Sequence, residues 1–235
     1  MIGFVLPDYI AISVFVAAWF IYHEMLKRHA RTALNAQMAG YRMRWMQEMA
    51  ARDVRIVDAS IMSSLQNGTA FFASTSLLAL GATATLLRTS DDMIKIATEL
   101  PFGFVPTRAN FEIKVIGLLV VFGYAFFKFA WAYRLFNYSA ILVGATPSAQ
   151  TGDPARRAEI AAYAGRMNIA AGRQFTRGQR AFFFALAYTG WFLGPYVFMA
   201  TTAWVLYAMW SRQYRSDAHD AIDPSKRFVE TMDLK

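Results

Sequence analysis

Four long apolar blocks constrain this sequence more than any motif does. They run from about Asp8 to Leu26, Ile61 to Leu87, Phe111 to Val143 and Ala181 to Trp210. Each matches or exceeds the ~20 residues that cross a ~30 Å hydrocarbon core at a helical rise of about 1.5 Å per residue. Apolar runs of this length read as transmembrane helices. The composition agrees: 17% of residues are charged, against about 25% in a typical soluble domain. The expected fold is an all-α integral membrane protein with four transmembrane helices in one domain, residues 1–212, and a polar tail over 213–235. The third and fourth blocks are longer than a crossing needs, so they are expected to tilt or project.

Charge sets the expected topology. Lys and Arg number seven between residues 27 and 60, six between 144 and 180, and three between 88 and 110. The excess places the two long loops on the cytoplasmic side of a bacterial inner (plasma) membrane. Four crossings then leave both termini periplasmic, although the tail's Arg212, Arg215, Lys226, Arg227 and Lys235 oppose that placement. The first block carries its cations after the apolar run, at Lys27, Arg28 and Arg31. It therefore reads as an uncleaved helix, not a signal peptide. The net charge of +8 belongs to these loops, and no nucleic-acid-reading motif accompanies it.

Both long loops carry helical patterns. In "GYRMRWMQEMAARDVRIVDAS", Tyr41, Trp45 and Met49 recur every fourth residue beside a charged row of Arg44, Glu48 and Arg52. That is a basic amphipathic helix. Arg42, Arg44, Trp45, Arg52 and Arg55 are its candidate contacts to anionic lipid or to a partner. With no breaker before Gly40, the first helix is expected to project beyond the bilayer into this segment. In the second loop, Asp153 before Pro154 reads as an N-cap with proline at the first helical position. A helix is expected from there to about Ala171, with Thr176 and Gln179 capping a new start for the fourth span. Pro101, Gly103 and Pro106 mark a turn in the external segment.

Three stretches carry a family resemblance. "RMRWMQEMAARDVRIVDASIMSSLQNGTAFFASTSLLALGA", "YRLFNYSAILVGA" and "GQRAFFFALAYTGWFLGPY" resemble the bacterial and plant membrane family catalogued as domain of unknown function 599. The resemblance spans roughly residues 5 to 212 and implies a multi-span architecture without an assigned activity.

Polar residues inside the blocks are the candidate site. The second block begins with Asp58, Ser60, Ser63, Ser64, Gln66 and Asn67, and Ser60, Asn67, Ser74 and Gly81 lie seven residues apart on one face. Such a face either packs against another helix or lines a polar path. In the third block Lys114 and Arg134 read as interfacial anchors. Lys128 and Arg134 are six residues apart with no basic residue between them, so there is no voltage-sensor ladder. Lys128 shares the stripe Lys114, Gly117, Val121, Tyr124, Lys128, Trp131, whose spacing makes one face. That face is expected to meet protein, with Asp58, Gln66 and Asn67 as partners for Lys128. Snorkelling, a structural interhelical bond and an anion or transport site all remain open for it. Gly194 and Pro195 are expected to kink the fourth span, either as a hinge or as a tolerated proline.

No enzyme motif emerges. The chain has no cysteine and three histidines, and "HEMLKRH" misses the metalloprotease spacing. No catalytic, metal or cofactor residues are therefore assigned. Two functional classes are left: an oligomeric small-ion channel or transporter-like protein, and a non-transporting assembly or accessory protein. In either class the expected partners are the lipid bilayer and further copies of the chain or subunits of a membrane complex.

Overall fold

The computed structural model describes residues 4–28, 33–99 and 107–222. Every regular element among them is helical: α1 Leu6–Arg28, α2 Leu34–Ala50, α3 Ile56–Arg88, α4 Ser90–Glu99, α5 Arg108–Ala145, α6 Pro154–Thr189, α7 Pro195–Tyr214 and α8 Asp217–Asp220. The first three apolar blocks fall within α1, α3 and α5, which are the three helices long and apolar enough to cross a membrane. The expected turn at Pro101, Gly103 and Pro106 lies outside the described residues.

The centre of the molecule is the antiparallel pair α5–α6. Ala164, Ala171, Gly178 and Ala185 stand seven residues apart on α6 and are all buried. Small side chains at this spacing let two helices approach closely. A Cβ on Gly178 would lie 2.8 Å from the Phe129 ring of α5, and one on Gly117 would overlap the Tyr188 hydroxyl of α6. Further along the same seam, Ser139 of α5 donates to the Ala164 carbonyl at 3.1 Å. Phe72 of α3 stacks on Phe129 at 5.4 Å and meets Phe175 of α6 edge-on at 5.5 Å, joining three helices in one aromatic cluster.

The fourth block, 181–210, is not one crossing. α6 ends at Thr189, a 3-10 turn covers Gly190–Phe192, and α7 starts at Pro195. Gly194 has φ 133 and ψ 163, a conformation that essentially only glycine adopts. Pro195 supplies the first residue of α7, where its missing N–H is harmless. The chain therefore reverses instead of kinking, and α7 packs back on α6. Thr201 donates to the Ala187 carbonyl at 2.7 Å, and Phe198 stacks on Trp191 at 5.1 Å. The opposite end of α7 reaches the C-terminal end of α1, where Tyr22 donates to the Met209 carbonyl at 3.3 Å. α1 closes the groove between α7 and α5: Phe15 meets Phe198 at 5.1 Å, and Trp19 meets Tyr124 at 5.9 Å.

The bundle thus has a turn end, holding the 190–194 reversal and the starts of α1 and α5, and a loop end. At the loop end α2 lies against the first half of α6, and Met46, Met49, Met62, Phe136, Ala164 and Ala171 share a core. α6 begins at Pro154 with Asp153 accepting from the Ala155 and Arg156 amides at 3.2 and 3.1 Å, as the Asp-Pro pair predicts. It does not stop near Ala171. Thr176 donates to the Gly172 carbonyl within a continuous helix, because Phe175, Gly178 and Ala181 are committed to the seam and override the local capping signal. The expected continuous helix to Gly40 is broken: α1 is described as far as Arg28, and α2 starts afresh at Leu34 after an extended Ala33. Buried Gln213 of α7 sits against this start. With its amide oxygen facing the helix, it accepts from the Leu34 and Asn35 amides at 3.0 Å.

The outward faces of α1, α3, α5 and α7 carry large apolar side chains, among them Phe20, Phe71, Leu78, Phe127 and Trp204. This is the surface of a protein suited to lipid.

The seam makes a direct prediction. Gly178→Val forces a branched side chain into the Phe129 ring and is expected to lower stability by about 1–3 kcal/mol. Gly68→Ala, with nothing within 4 Å of its Cβ, is expected to be neutral or stabilising. Unfolding of both variants in detergent micelles measures the difference.

Candidate functional site

The residues expected to form a polar path are dispersed. Asp58 is buried at the loop end, where it accepts from the Trp45 indole at 2.7 Å and from Arg52 at 3.1 Å. Gln66 donates to Asn137 of α5 at 2.6 Å. Asn67, one residue on, points out of the protomer. Lys128 is half-buried and lies over the ring of Tyr124 at 5.1 Å. Gln66 beside Asn137 and Leu80 beside Gly123 fix the antiparallel register of α3 and α5. That register sets Lys128 about eight residues, or ~12 Å, from the level of Asn67. Lys128 therefore meets none of its three expected partners.

The stripe expected to meet protein does so in its first half, where Lys114 is buried, Gly117 faces Tyr188 and Val121 packs on the core. In the second half of α5, Phe122, Ala125, Phe129, Ala132 and Phe136 are among the buried positions, while Tyr124, Phe127 and Trp131 are exposed. The side bearing Phe129 forms the α6 seam, where that ring packs against Gly178. Lys128 sits at the edge of the exposed side.

The basic residues expected to meet lipid or a partner mostly hold the loop end together. The Arg42 guanidinium bonds the Asn168 side chain and lies over Phe136 at 5.6 Å. Burial pulls it below the usual arginine range. Trp45 and Arg52 are spent on Asp58. Arg55 donates to the carbonyls of Val143, Thr146 and Pro147 at 3.3, 2.5 and 2.7 Å, closing the C-terminus of α5. Arg44 points outward, near Glu48 at 4.0 Å.

Two other ionic positions stand out. At the turn end Lys114 is 1% exposed and Asp8 is 1% exposed. Lys114 Nζ lies 3.8 Å from Asp8 Oδ1 and donates to the Trp191 carbonyl at 3.0 Å, while the Trp191 indole donates to Asp8 Oδ1 at 2.7 Å. Lys114 is thus a buried clamp between α1, α5 and the reversal, not an interfacial anchor. The signal available in the sequence was Asp8, a carboxylate at the head of an apolar block. Arg134, by contrast, is exposed and bonds Tyr138 at 2.6 Å. Gly194 and Pro195 belong to the reversal itself.

At the loop end, Arg180 is 8% exposed, lies over the Tyr22 ring at 5.9 Å and sits 3.4 Å from His23 Nδ1. It lines a cavity of about 250 Å³ between α1, α2, α6 and α7, with Arg212 and Gln213 on the far wall. In the sequence, Arg180 is one more loop cation. Its position became readable only once α6 proved continuous and α7 folded back over it.

A family profile described as "Protein of unknown function, DUF599" matches residues 10–218. The chain belongs to this family. Comparison with curated proteins gave no match, and comparison with solved structures gave none. The membership agrees with the resemblance carried by the α2–α3 segment and by "GQRAFFFALAYTGWFLGPY", which the structure identifies as the seam and the reversal.

The clamp predicts non-additive mutational effects. Lys114→Met strands the Asp8 carboxylate and is expected to cost about 3–5 kcal/mol, whereas the Asp8→Asn/Lys114→Met pair should recover a large part of it. Unfolding free energies of the two single variants and the double variant close the cycle.

Proposed function

We propose that this family member is a five-pass protein of the cytoplasmic membrane that self-associates through α3 and serves as a non-conducting assembly or accessory subunit. The observation that carries the reading is the outward stripe of α3. Ser60, Asn67, Ser74 and Gly81 are all exposed on the protomer. Asn67 lies nine residues beyond Asp58, about 13 Å along the helix and inside the hydrocarbon. A carboxamide there is costly without a partner, and small residues at heptad spacing suit close approach of a second helix. A second copy supplies both needs.

Five crossings follow from counting α1, α3, α5, the second half of α6, and α7. This arrangement also removes the charge conflict. It returns the tail, with its five cations, to the side of the thirteen in the two long loops, in accord with the positive-inside rule. The loop end is then cytoplasmic and the turn end periplasmic.

The reading against conduction rests on side-chain bookkeeping within the protomer. Asp58, Gln66 and Lys114 each have a structural partner, and Lys128 and Asn67 stand at different levels on different faces. A channel reading keeps one support: copies joined through α3 would set Asn67 and Ser74 around a common axis.

The chain lacks cysteine, so single-cysteine variants report contact directly. Asn67→Cys and Ser74→Cys are expected to give disulfide-linked dimers in membranes, and Val120→Cys on the outward side of α5 is not. Equal yields at all three sites would remove the α3 interface. A C-terminal reporter is expected in the cytoplasm, and a periplasmic one would rule out five crossings. Proteoliposomes are expected to show no ion flux. A flux changed by Asn67→Leu would decide for the channel.

A further inference from the structure

We propose that the cavity at the loop end is a binding site for a phosphate-bearing anion, held between Arg180 and Arg212. Arg180 comes from the middle of α6 and is more than nine-tenths buried. Its neighbours are an aromatic ring and a histidine nitrogen, and among the described residues no carboxylate forms an ion pair with it. Its Nε is buried without a hydrogen-bond partner. A guanidinium taken out of water is normally matched by an acceptor of opposite charge. Among the described residues no such acceptor is in contact with it.

The surrounding groups share the same sign. Arg212, from the last turn of α7, lines the same cavity and lies over the Phe183 ring at 5.5 Å. It forms no ion pair among the described residues either. The first turn of α2, capped by Gln213, contributes Leu34 and Asn35 to the wall. Gln179 and Thr176 add neutral polar groups from α6. Two guanidinium forks lining one small space, with neutral hydrogen-bonding groups beside them, suit a tetrahedral oxyanion.

Depth favours a ligand entering from the loop side. Arg180 on α6 is eleven residues before Trp191 of the reversal, about 16 Å from the clamp at the turn end. Lipid-facing α1 and α7 flank the cavity, with Leu26 and Met209 on its rim. An anionic lipid headgroup and a free phosphate compound present the same chemistry to these arginines. The proposal does not depend on self-association through α3.

The test uses the full chain in neutral detergent. Short-chain phosphatidylglycerol, short-chain phosphatidylcholine and inorganic phosphate are titrated separately, and the thermal unfolding midpoint is followed. A saturable rise with phosphatidylglycerol and not with phosphatidylcholine identifies a lipid headgroup. A saturable rise with inorganic phosphate identifies a free anion. Arg180→Gln and Arg212→Gln are each expected to weaken the response about tenfold or more. Arg180→Lys should be intermediate, because it keeps the charge and loses the fork. Arg88→Gln, at the turn end, should match the unaltered chain. Arg212 is exposed, so its variant tests the site even if Arg180→Gln does not fold. No saturable rise with either anion, or an undiminished rise in Arg212→Gln and Arg180→Lys, overturns the proposal.

Discussion

Close approach of α5 and α6 is the constraint on which the remaining structure depends. The pair stays within side-chain contact from Gly117 and Tyr188 at one end to Ser139 and Ala164 at the other. This is possible because α6 presents Ala164, Ala171, Gly178 and Ala185 where α5 presents Phe129 and other large side chains. In hydrocarbon, lipid tails are as apolar as any side chain, so packing density and not hydrophobicity selects such a seam. α3 joins through Phe72, and α1 and α7 join through Phe15, Phe184 and Phe198. The loop end is an extension of the same pair. α5 and α6, with 38 and 36 residues, run about 57 and 54 Å, and their excess length builds the platform that α2 covers.

The reversal at 190–194 carries the second large consequence. It turns one apolar block into two antiparallel helices and brings the end of α7 to the end of α1. The buried Asp8–Lys114 pair holds that reversal in place through both the indole and the carbonyl of Trp191. Placing the ion pair on the turn's own residue ties α1, α5 and the α6–α7 connection to a single point. Folding α7 back also encloses Arg180, which a straight fourth span would have left on an open face.

Much of the architecture was legible in the sequence. The long apolar blocks gave α1, α3 and α5, and Asp153-Pro154 gave the start of α6. The failures share a physical cause. A window of residues 181–210 is apolar whether it is straight or folded, so hydropathy alone does not reveal the reversal. Gly194-Pro195 fits a kink and a turn equally until φ at Gly194 is known. The heptad of small residues on α3 was visible, yet it points outward, while the matching heptad on α6 forms the central seam. Small-residue spacing marks a face that can pack closely without saying what it packs against. Lys114 near the end of a block resembled an anchor because its partner, Asp8, is more than one hundred residues away in the chain. The polar residues of the second block were real but answer to different neighbours: Asp58 to the α2 region, Gln66 to α5, Asn67 to the outside.

The account stands or falls on the folding back of α7 along α6. Spin labels at Phe183→Cys and Arg212→Cys in the otherwise cysteine-free chain measure it in a bilayer. The two native side chains are in contact, with the guanidinium 5.5 Å from the ring centre, so the expected result is a short distance limited by the label tethers. A separation near 43 Å, the length of 29 residues of uninterrupted helix, would contradict the reversal and the arrangement built upon it.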